Sequence, residues 1–441
     1  MSFDWLRNKE LQCLLNALHP ARVVGGAVRN SILNIMHAKT LNDNHEKNLH
    51  SQLYNCDLLD EQNAICTEEQ KLSDSIKISK YQIDEVDIAT PHTPEIVMKL
   101  AKKAGFTVIP TGLQHGTVTC VGKQVYEVTT LRIDVKTDGR HAVVKFLDSW
   151  KLDAERRDLT INALYVDAEG KIYDYTNGQS DLKNQIIRFI GNPSKRIQED
   201  YLRILRYFRF FAHYGKQVDA KSLQACRAHY NGLQNIAKER CTHELLKLLK
   251  ADNPIFALQM MNEPVNEQNL WSICDFPQPN LNKMTQIQNI TSKFTAFCEK
   301  NNIPLKINLI HLLRLSTFIE TFNQFSKMRL SNSQIRHLHT LKSIGTLKNL
   351  NEYLLSYYMH TADIFTHAII LNGENYEQIL LKMIPWFDKP FPINGHDIIQ
   401  HLNLQQNSQI GFILSKAKIY FCKQSVPISK FELLHYCETL I

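Results

Sequence analysis

The sequence predicts an α+β protein, a mixed-sheet head followed by a long all-helical extension. Three observations carry this. A β-branched run, Arg22-Val23-Val24, stops at Gly25-Gly26 and gives way to helically spaced residues, the strand–turn–helix start of a βα unit. Short runs rich in Val, Thr and Tyr then crowd the stretch from residue 86 to 146. From Ser194 onward apolar residues recur at helical spacing almost to Leu440. Strands first and helices afterwards is the α+β order.

Element by element, Leu11 to Leu18 forms a short amphipathic helix closed by His19-Pro20, because proline and its preceding residue disfavour helix continuation. Arg22 to Val24 is a strand and Ala27 to Leu33 a helix. Residues 38–80 contain no Gly, no Pro and a single aromatic, Tyr54, among many Asn, Asp, Glu, Lys and Ser. They read as an inserted surface segment, helical in parts or disordered. Val86 to Ala89 is the next strand and Pro94 to Ala104 the next helix, with proline where a helix tolerates it. Phe106 to Ile109, Gly116 to Val121, Val125 to Leu131 and Ala142 to Phe146 complete the sheet, with helices on one side. Leu202, Leu205, Phe208, Phe211 and Ala212 share one helical stripe, and Leu245, Leu246, Leu248 and Leu249 mark another helix. Prolines 254, 264, 277 and 279 mark a junction. The expected division is a head over 1–191 carrying the 38–80 insertion, a helical neck over 192–250, and a helical body and tail over 251–441.

Composition sets limits. At 44% hydrophobic and 22% charged over 441 residues, the chain is neither disordered nor fibrous. A net charge of +7 permits an anionic partner without requiring one. No run approaches the roughly 18 apolar residues of a membrane helix, and the N-terminus lacks a signal-peptide pattern, so a cytoplasmic protein is expected. The ten cysteines never stand closer than ten positions, which excludes C-x-x-C zinc ribbons and thioredoxin-type motifs. Reduced, mostly buried thiols are expected.

Four groups of residues could carry chemistry. Gly25, Gly26 and Arg29 put bare backbone and a cation at a helix start, either a phosphate cradle or an ordinary strand end. Glu85 and Asp87 share one face of their strand, since side chains alternate. They are either a solvated acidic face or hard oxygen ligands for Mg2+; Asp84 points the other way. Glu127, mid-strand, joins them as a third acid if its strand neighbours theirs, an arrangement suited to two-metal phosphoryl transfer. Arg157, Asp158 and Asn162 fall within one dense polar stretch. Finally Glu199, Asp200, Arg203, Arg206 and Arg209 are expected on one helix, at steps that align three arginines toward an anion.

Assembled, these stretches resemble a class II member of the tRNA nucleotidyltransferase/poly(A) polymerase family. The matching segments are VVGGAVRN (23–30), EVDIATPHTPEIV (85–97), PTGLQHGTVT (110–119), YEVTTLRID (126–134), DGRHAVVKF (138–146), DAERRDLTINALYVD (153–167) and RIQEDYLRILRYFRFFAHYG (196–215). Specific matches cover residues 21–37 and 83–250. Two of the segments, 138–146 and 153–167, look most like the alphaproteobacterial and mitochondrial branch.

The resemblance implies a nucleotidyltransferase-type head and addition of CCA to the 3′ end of tRNA from CTP and ATP, without a template and with two Mg2+ ions. It implies that Gly25, Gly26 and Arg29 bind the triphosphate and that Glu85 and Asp87 hold metal. Glu127 would help activate the RNA 3′-hydroxyl. Arg157, Asp158 and Asn162 would read the ribose. Asp200 and Arg203 would read the incoming base, with Arg206 and Arg209 extending the phosphate-binding stripe. Arg132, Asp134, Asp138, Gly139 and Arg140 would belong to a flexible loop that switches from C to A addition. The family usually has Asp where this chain has Asn30 and Glu85, and a far shorter spacing between Arg29 and the first acid. Neither a membrane nor DNA is expected as a partner. The alternatives are a poly(A) polymerase, whose basic G-R-R-F stretch is replaced here by GLQHGTVT, and an RNA-binding homologue without catalysis.

Overall fold

Short strands build a seven-stranded mixed sheet in the order β3-β4-β5-β2-β1-β8-β9. Its strands are β1 (Arg22–Val24), β2 (Val86–Thr90), β3 (Thr107–Gly112), β4 (Thr117–Val121), β5 (Val125–Thr130), β8 (Leu164–Val166) and β9 (Ile172–Asp174). β6 (Arg132–Thr137) and β7 (Ala142–Phe146) form a separate hairpin, and β10 (Ile186–Ile187) pairs β11 (Gln217–Val218). This computed structural model describes residues 3–441 except 54–79, 84, 138–141, 266–267, 320–321, 345–346, 374–375, 388, 407 and 425, and not the side chains of 41–53, 134–137, 142–143, 322–323 and 325. The chain divides into two units, 1–236 and 237–441.

In the first unit β2 lies between β1, antiparallel, and β5, parallel. Val23, Ile88, Val118 and Val128 are all fully buried on one sheet face. Helices α2 (Gly26–Leu53) and α3 (Pro94–Lys103), which follows α1 (Lys9–Ala17) and α2 in the chain, pack against the sheet, α2 on β1, β2 and β8 and α3 on β3, β4 and β5. The other face carries Val24, Ala89 and Tyr165, which with Ala154, Leu131 and Ile190 form a smaller apolar cluster beside the open part of the sheet. Ala154 comes from α4 (Trp150–Glu155), N-capped by the Ser149 hydroxyl. Helices α5 (Gly178–Lys183), α6 (Pro193–Glu199), α7 (Leu202–Tyr214) and α8 (Ala220–Ala228) complete the unit.

Two expectations change here. The helix after the paired glycines runs on to Leu53, well into the segment read as an insertion, while 54–79 lie outside the described residues. The stretch from Glu199 to Arg209 is not one helix. α6 ends at Glu199, Asp200 is extended at φ −155° and ψ 106°, and α7 begins at Leu202. The Asp200 carboxylate accepts from the Leu202 N–H at 3.1 Å, so the acid satisfies a donor that a new helix start would leave orphaned.

The second unit is mainly helical among its described residues. Phe294, Tyr353, Phe365, Trp386 and Phe421 centre its core. Trp271 and Trp386 are each 1% exposed. Arg314, 5% exposed, donates to the carbonyls of Leu249 at 2.8 Å, Asp252 at 3.1 Å and Ala251, closing the end of the Lys238–Leu248 helix. Asp363 accepts from the Asn308 amide at 3.0 Å. Eight cysteines are described, all free thiols and all buried but Cys13. No described helix is long and apolar enough to cross a membrane.

Candidate active site

The parallel register of β2 and β5 sets Asp87 directly against Glu127, and the antiparallel register of β1 and β2 sets Val24 against Asp87. Residues paired in this way share a sheet face. Both acids are exposed on the open face, and Glu85, also exposed, stands one residue ahead of β2 on the same side. The condition that Glu127 lie on a neighbouring strand is therefore met. The acids line a cavity of about 940 Å³ together with Asp4, Trp5, Arg7 and Lys123.

Asp87 carries the electrostatic mark of the site. Surrounding protein atoms desolvate its carboxyl and the charges of Glu127 and Glu85 repel a further negative charge, pushing its pKa up to about 6. Arg157 acts against them. Among the described residues, no group of three or more His, Cys, Asp or Glu is arranged to hold a metal ion by itself. The three acids thus share a field without forming a closed cage. Open hard-oxygen donors of this kind fit Mg2+, which binds through one or two carboxylates and completes its shell with water and phosphate oxygens.

Arg157 is aimed by a residue that the motif reading passed over. Asp153, 1% exposed, accepts from Arg156 Nε at 2.9 Å, Arg157 Nη2 at 3.2 Å and the Tyr165 hydroxyl at 2.7 Å. Tyr165 pairs with Val24, the register partner of Asp87, so this anchor lies on the same face as the acids. Burial opposes both charges, yet the ion pair prevails, with the Asp153 pKa held below and that of Arg157 above its ordinary value. The signal in the sequence was the i,i+3 and i,i+4 spacing from Asp153 to Arg156 and Arg157.

At the glycine turn, Gly25 adopts φ +80°, a left-handed conformation natural to glycine, and its carbonyl accepts the first bond of α2 from the Arg29 N–H at 3.0 Å. Gly26 starts the helix behind it. Arg29 itself is 6% exposed and engaged by protein. It donates to Asn162 Oδ1 at 2.5 Å, to Asn30 Oδ1 at 3.1 and 3.0 Å, and to the Tyr214 hydroxyl at 2.9 Å. It lies beneath the cradle as its support. Asn162 passes the network on, donating to Asp158 Oδ1 at 3.2 Å, and Asp158 Oδ2 accepts from Arg206 Nε at 2.6 Å. Burial raises the Asp158 pKa, but the Arg206 charge and hydrogen bond outweigh it and hold the carboxyl well below the usual range. The glycine turn, the Asp158–Asn162 stretch and α7 are thereby one hydrogen-bonded array.

The neck arginines have partners of their own. Arg203 donates to Glu199 Oε2 at 2.5 Å and to the Arg196 carbonyl at 2.8 Å. Its i,i+4 ion pair is with Glu199. Arg206 bonds Asp158, and Arg209 lies 4.2 Å from the centre of the Phe210 ring. The three arginines thus do not form one free stripe; two of them are tied into the wall of the site. Of the residues expected in the flexible loop, Arg132 begins strand β6 and donates to the His115 carbonyl, and Asp134 lies in the same strand. Asp138, Gly139 and Arg140 fall outside the described residues, as does Asp84.

Known proteins share this plan. Residues 75–188 match the family described as "Poly A polymerase head domain", and residues 217–263 match "Probable RNA and SrmB- binding site of polymerase A". The "CCA tRNA nucleotidyltransferase 1, mitochondrial" of Danio rerio is 33% identical over 366 residues, which cover 80% of this chain and 82% of the relative. The "CCA-adding enzyme" of Staphylococcus epidermidis is 29% identical over 389 residues, 82% of this chain and 90% of the relative. The solved CCA-adding enzyme of Bacillus stearothermophilus in complex with CTP superposes with a TM-score of 0.60 at 22% identity, covering 98% of this chain and 97% of that one, which shows the same fold. Similarity at this level across most of both chains places the protein in the family of CCA tRNA nucleotidyltransferases.

Proposed function

We propose that this chain adds CCA to the 3′ end of tRNA at the Asp87–Glu127 site, taking CTP and ATP and releasing pyrophosphate. The observation that carries the reading is the parallel register of Asp87 and Glu127 beside the glycine turn. In the reaction the RNA 3′-hydroxyl oxygen bonds to the α-phosphorus. The bond from that phosphorus to the bridging oxygen breaks, and pyrophosphate leaves with the electron pair.

Each residue then has a role in that displacement. Backbone N–H groups at the start of α2 face the triphosphate, a natural anion seat at a helix N-terminus. Arg157, fixed by Asp153 and Tyr165, brings its charge to the phosphates and to Asp87. Glu127 accepts the proton of the attacking hydroxyl on a carboxylate oxygen. Glu85 and Asp87 would hold two Mg2+ ions, which when bound supply positive charge for the reacting phosphate and for the leaving group. Asp158 and Asn162 hold the ribose side of the cleft. Asp200 and Arg203, both half-buried at the break between α6 and α7, offer an acceptor and donors to the incoming base. Strand β6 and the residues that follow it to Arg140 adjust the site between C and A addition. The basic residues of the helical unit hold the tRNA backbone.

The test is to incubate the purified chain and Mg2+ with a tRNA lacking its 3′ CCA, offering CTP, ATP or both, and to size the products. Three added residues with both nucleotides support the proposal. A long A-tail from ATP alone means a poly(A) polymerase, and no extension means an RNA-binding homologue.

A further inference from the structure

Glu85 stands outside the sheet ladder. β2 begins at Val86, and residues 81–83 leading to it lie in no regular element, so sheet hydrogen bonds do not fix where Glu85 enters the site. Two asparagines of α2 supply that fixation. Asn34 treats Tyr81 as a strand neighbour would, accepting its N–H on Oδ1 at 2.9 Å and donating Nδ2 to its carbonyl at 2.8 Å. One turn earlier, Asn30 donates Nδ2 to the Gln82 carbonyl at 2.7 Å. The Asn30 Oδ1 faces the opposite way and accepts from Arg29 Nε, Arg29 Nη2 and the Tyr214 hydroxyl at 3.1, 3.0 and 3.3 Å. Three donors on one atom and a carbonyl on the other settle the orientation of the amide. The Tyr81 ring packs on Tyr214 at 5.7 Å between centroids, which closes the circuit.

We propose that Asn30 and Asn34 are positioning residues, a clamp that registers the entry of β2, and with it Glu85 and Asp87, against the Arg29-supported cradle. Only a side chain with both a donor and an acceptor serves at position 30, because it joins a cluster of donors to a backbone carbonyl. A carboxylate there keeps the Arg29 and Tyr214 bonds but sets an oxygen against the Gln82 carbonyl. The role is upstream of the metal donors, so it rests on the metal assignment made above.

The test compares the full chain with Asn30→Asp, Asn34→Ala and Asp87→Ala, using Mn2+ as probe. Mn2+ binding is titrated by electron paramagnetic resonance, and exchange of the Tyr81 amide is followed by mass spectrometry. Asn30→Asp and Asn34→Ala are expected to weaken Mn2+ binding by about tenfold, the order seen when support behind a metal ligand is lost. Exchange at Tyr81 should rise, and the KM for CTP should stay near wild type because Arg29 keeps its acceptor. The double variant should be little worse than either single one, since both act on one segment. An Asn30→Asp chain that binds Mn2+ as tightly as wild type, or more tightly through its added negative charge, overturns the clamp. If Asp87→Ala leaves Mn2+ binding unchanged, the metal assignment itself fails and the clamp falls with it, an outcome distinct from the first.

Discussion

Replacing Asp158 by Ala removes the joint between the Asp158–Asn162 stretch and α7. Asp158 is 7% exposed, and its two oxygens receive the Leu159 N–H at 2.8 Å, Asn162 Nδ2 at 3.2 Å and Arg206 Nε at 2.6 Å. The buried Leu159 N–H loses its acceptor, at a cost of about 1–2 kcal/mol, and the Asn162 amide adds about 1 kcal/mol. The Arg206 side chain is 33% exposed, so water recovers much of its charge and the lost pair is discounted to about 0.5–1 kcal/mol. The sum is about 3 kcal/mol, which for a unit of this size lowers Tm by roughly 6–12 °C. Asp158→Asn, which keeps an acceptor for Leu159 but loses the charge, should fall about halfway. Because the folded pKa of Asp158 lies below its ordinary 3.8, its contribution is present above that pH and lost as pH falls below it. Calorimetry at pH 7 and at descending pH measures both effects. A melting point within 1 °C of wild type at pH 7, or a difference that fails to shrink in acid, would refute this reasoning.

Three further outcomes are expected. Asp153→Asn releases Arg157 from its anchor, so kcat should drop about tenfold or more while tRNA affinity holds, as steady-state kinetics with a binding assay would detect. In the helical unit, His367 donates its Nε2–H to the Asn308 carbonyl at 2.8 Å and accepts on Nδ1 from His337 Nε2 at 3.0 Å, and burial pushes its pKa down to about 4. A base with a depressed folded pKa contributes fully above its unfolded value of about 6.5 and loses that contribution as pH falls toward 4. Protection factors around residues 365–370, that is, hydrogen exchange corrected for its intrinsic pH dependence, should accordingly fall between pH 6.5 and 5, and protection that does not change with pH would count against the buried pair. Arg314→Met strands three carbonyls and should cost about 3 kcal/mol or more in urea unfolding of the second unit.

Much of the site could be read from the sequence because its parts are local. Asp87 and Glu127 sit mid-strand among β-formers, where an acid is conspicuous, and paired glycines announce a turn before a helix. Their pairing across β2 and β5 needed the register, which depends on long-range packing. The break at Asp200 was hidden because no Gly or Pro marks it; a carboxylate that caps Leu202 reads, in a sequence, like one more member of a helical charge series. Arg29 looked like a phosphate ligand because the sequence gives its position but not its burial under Asn30, Asn162 and Tyr214. β8, three residues long and wholly buried, lacks the alternation that identifies a strand. Asp153 was legible only in its spacing from Arg156 and Arg157, which does not show that it is buried.

The central claim is that Asp87 and Glu127 form the reacting centre. Its most direct test is the Asp87→Ala chain in the extension assay with CCA-lacking tRNA, CTP, ATP and Mg2+, alongside a tRNA-binding measurement. The account predicts no added nucleotides with tRNA binding nearly unchanged. Three nucleotides added at a rate close to wild type would contradict it.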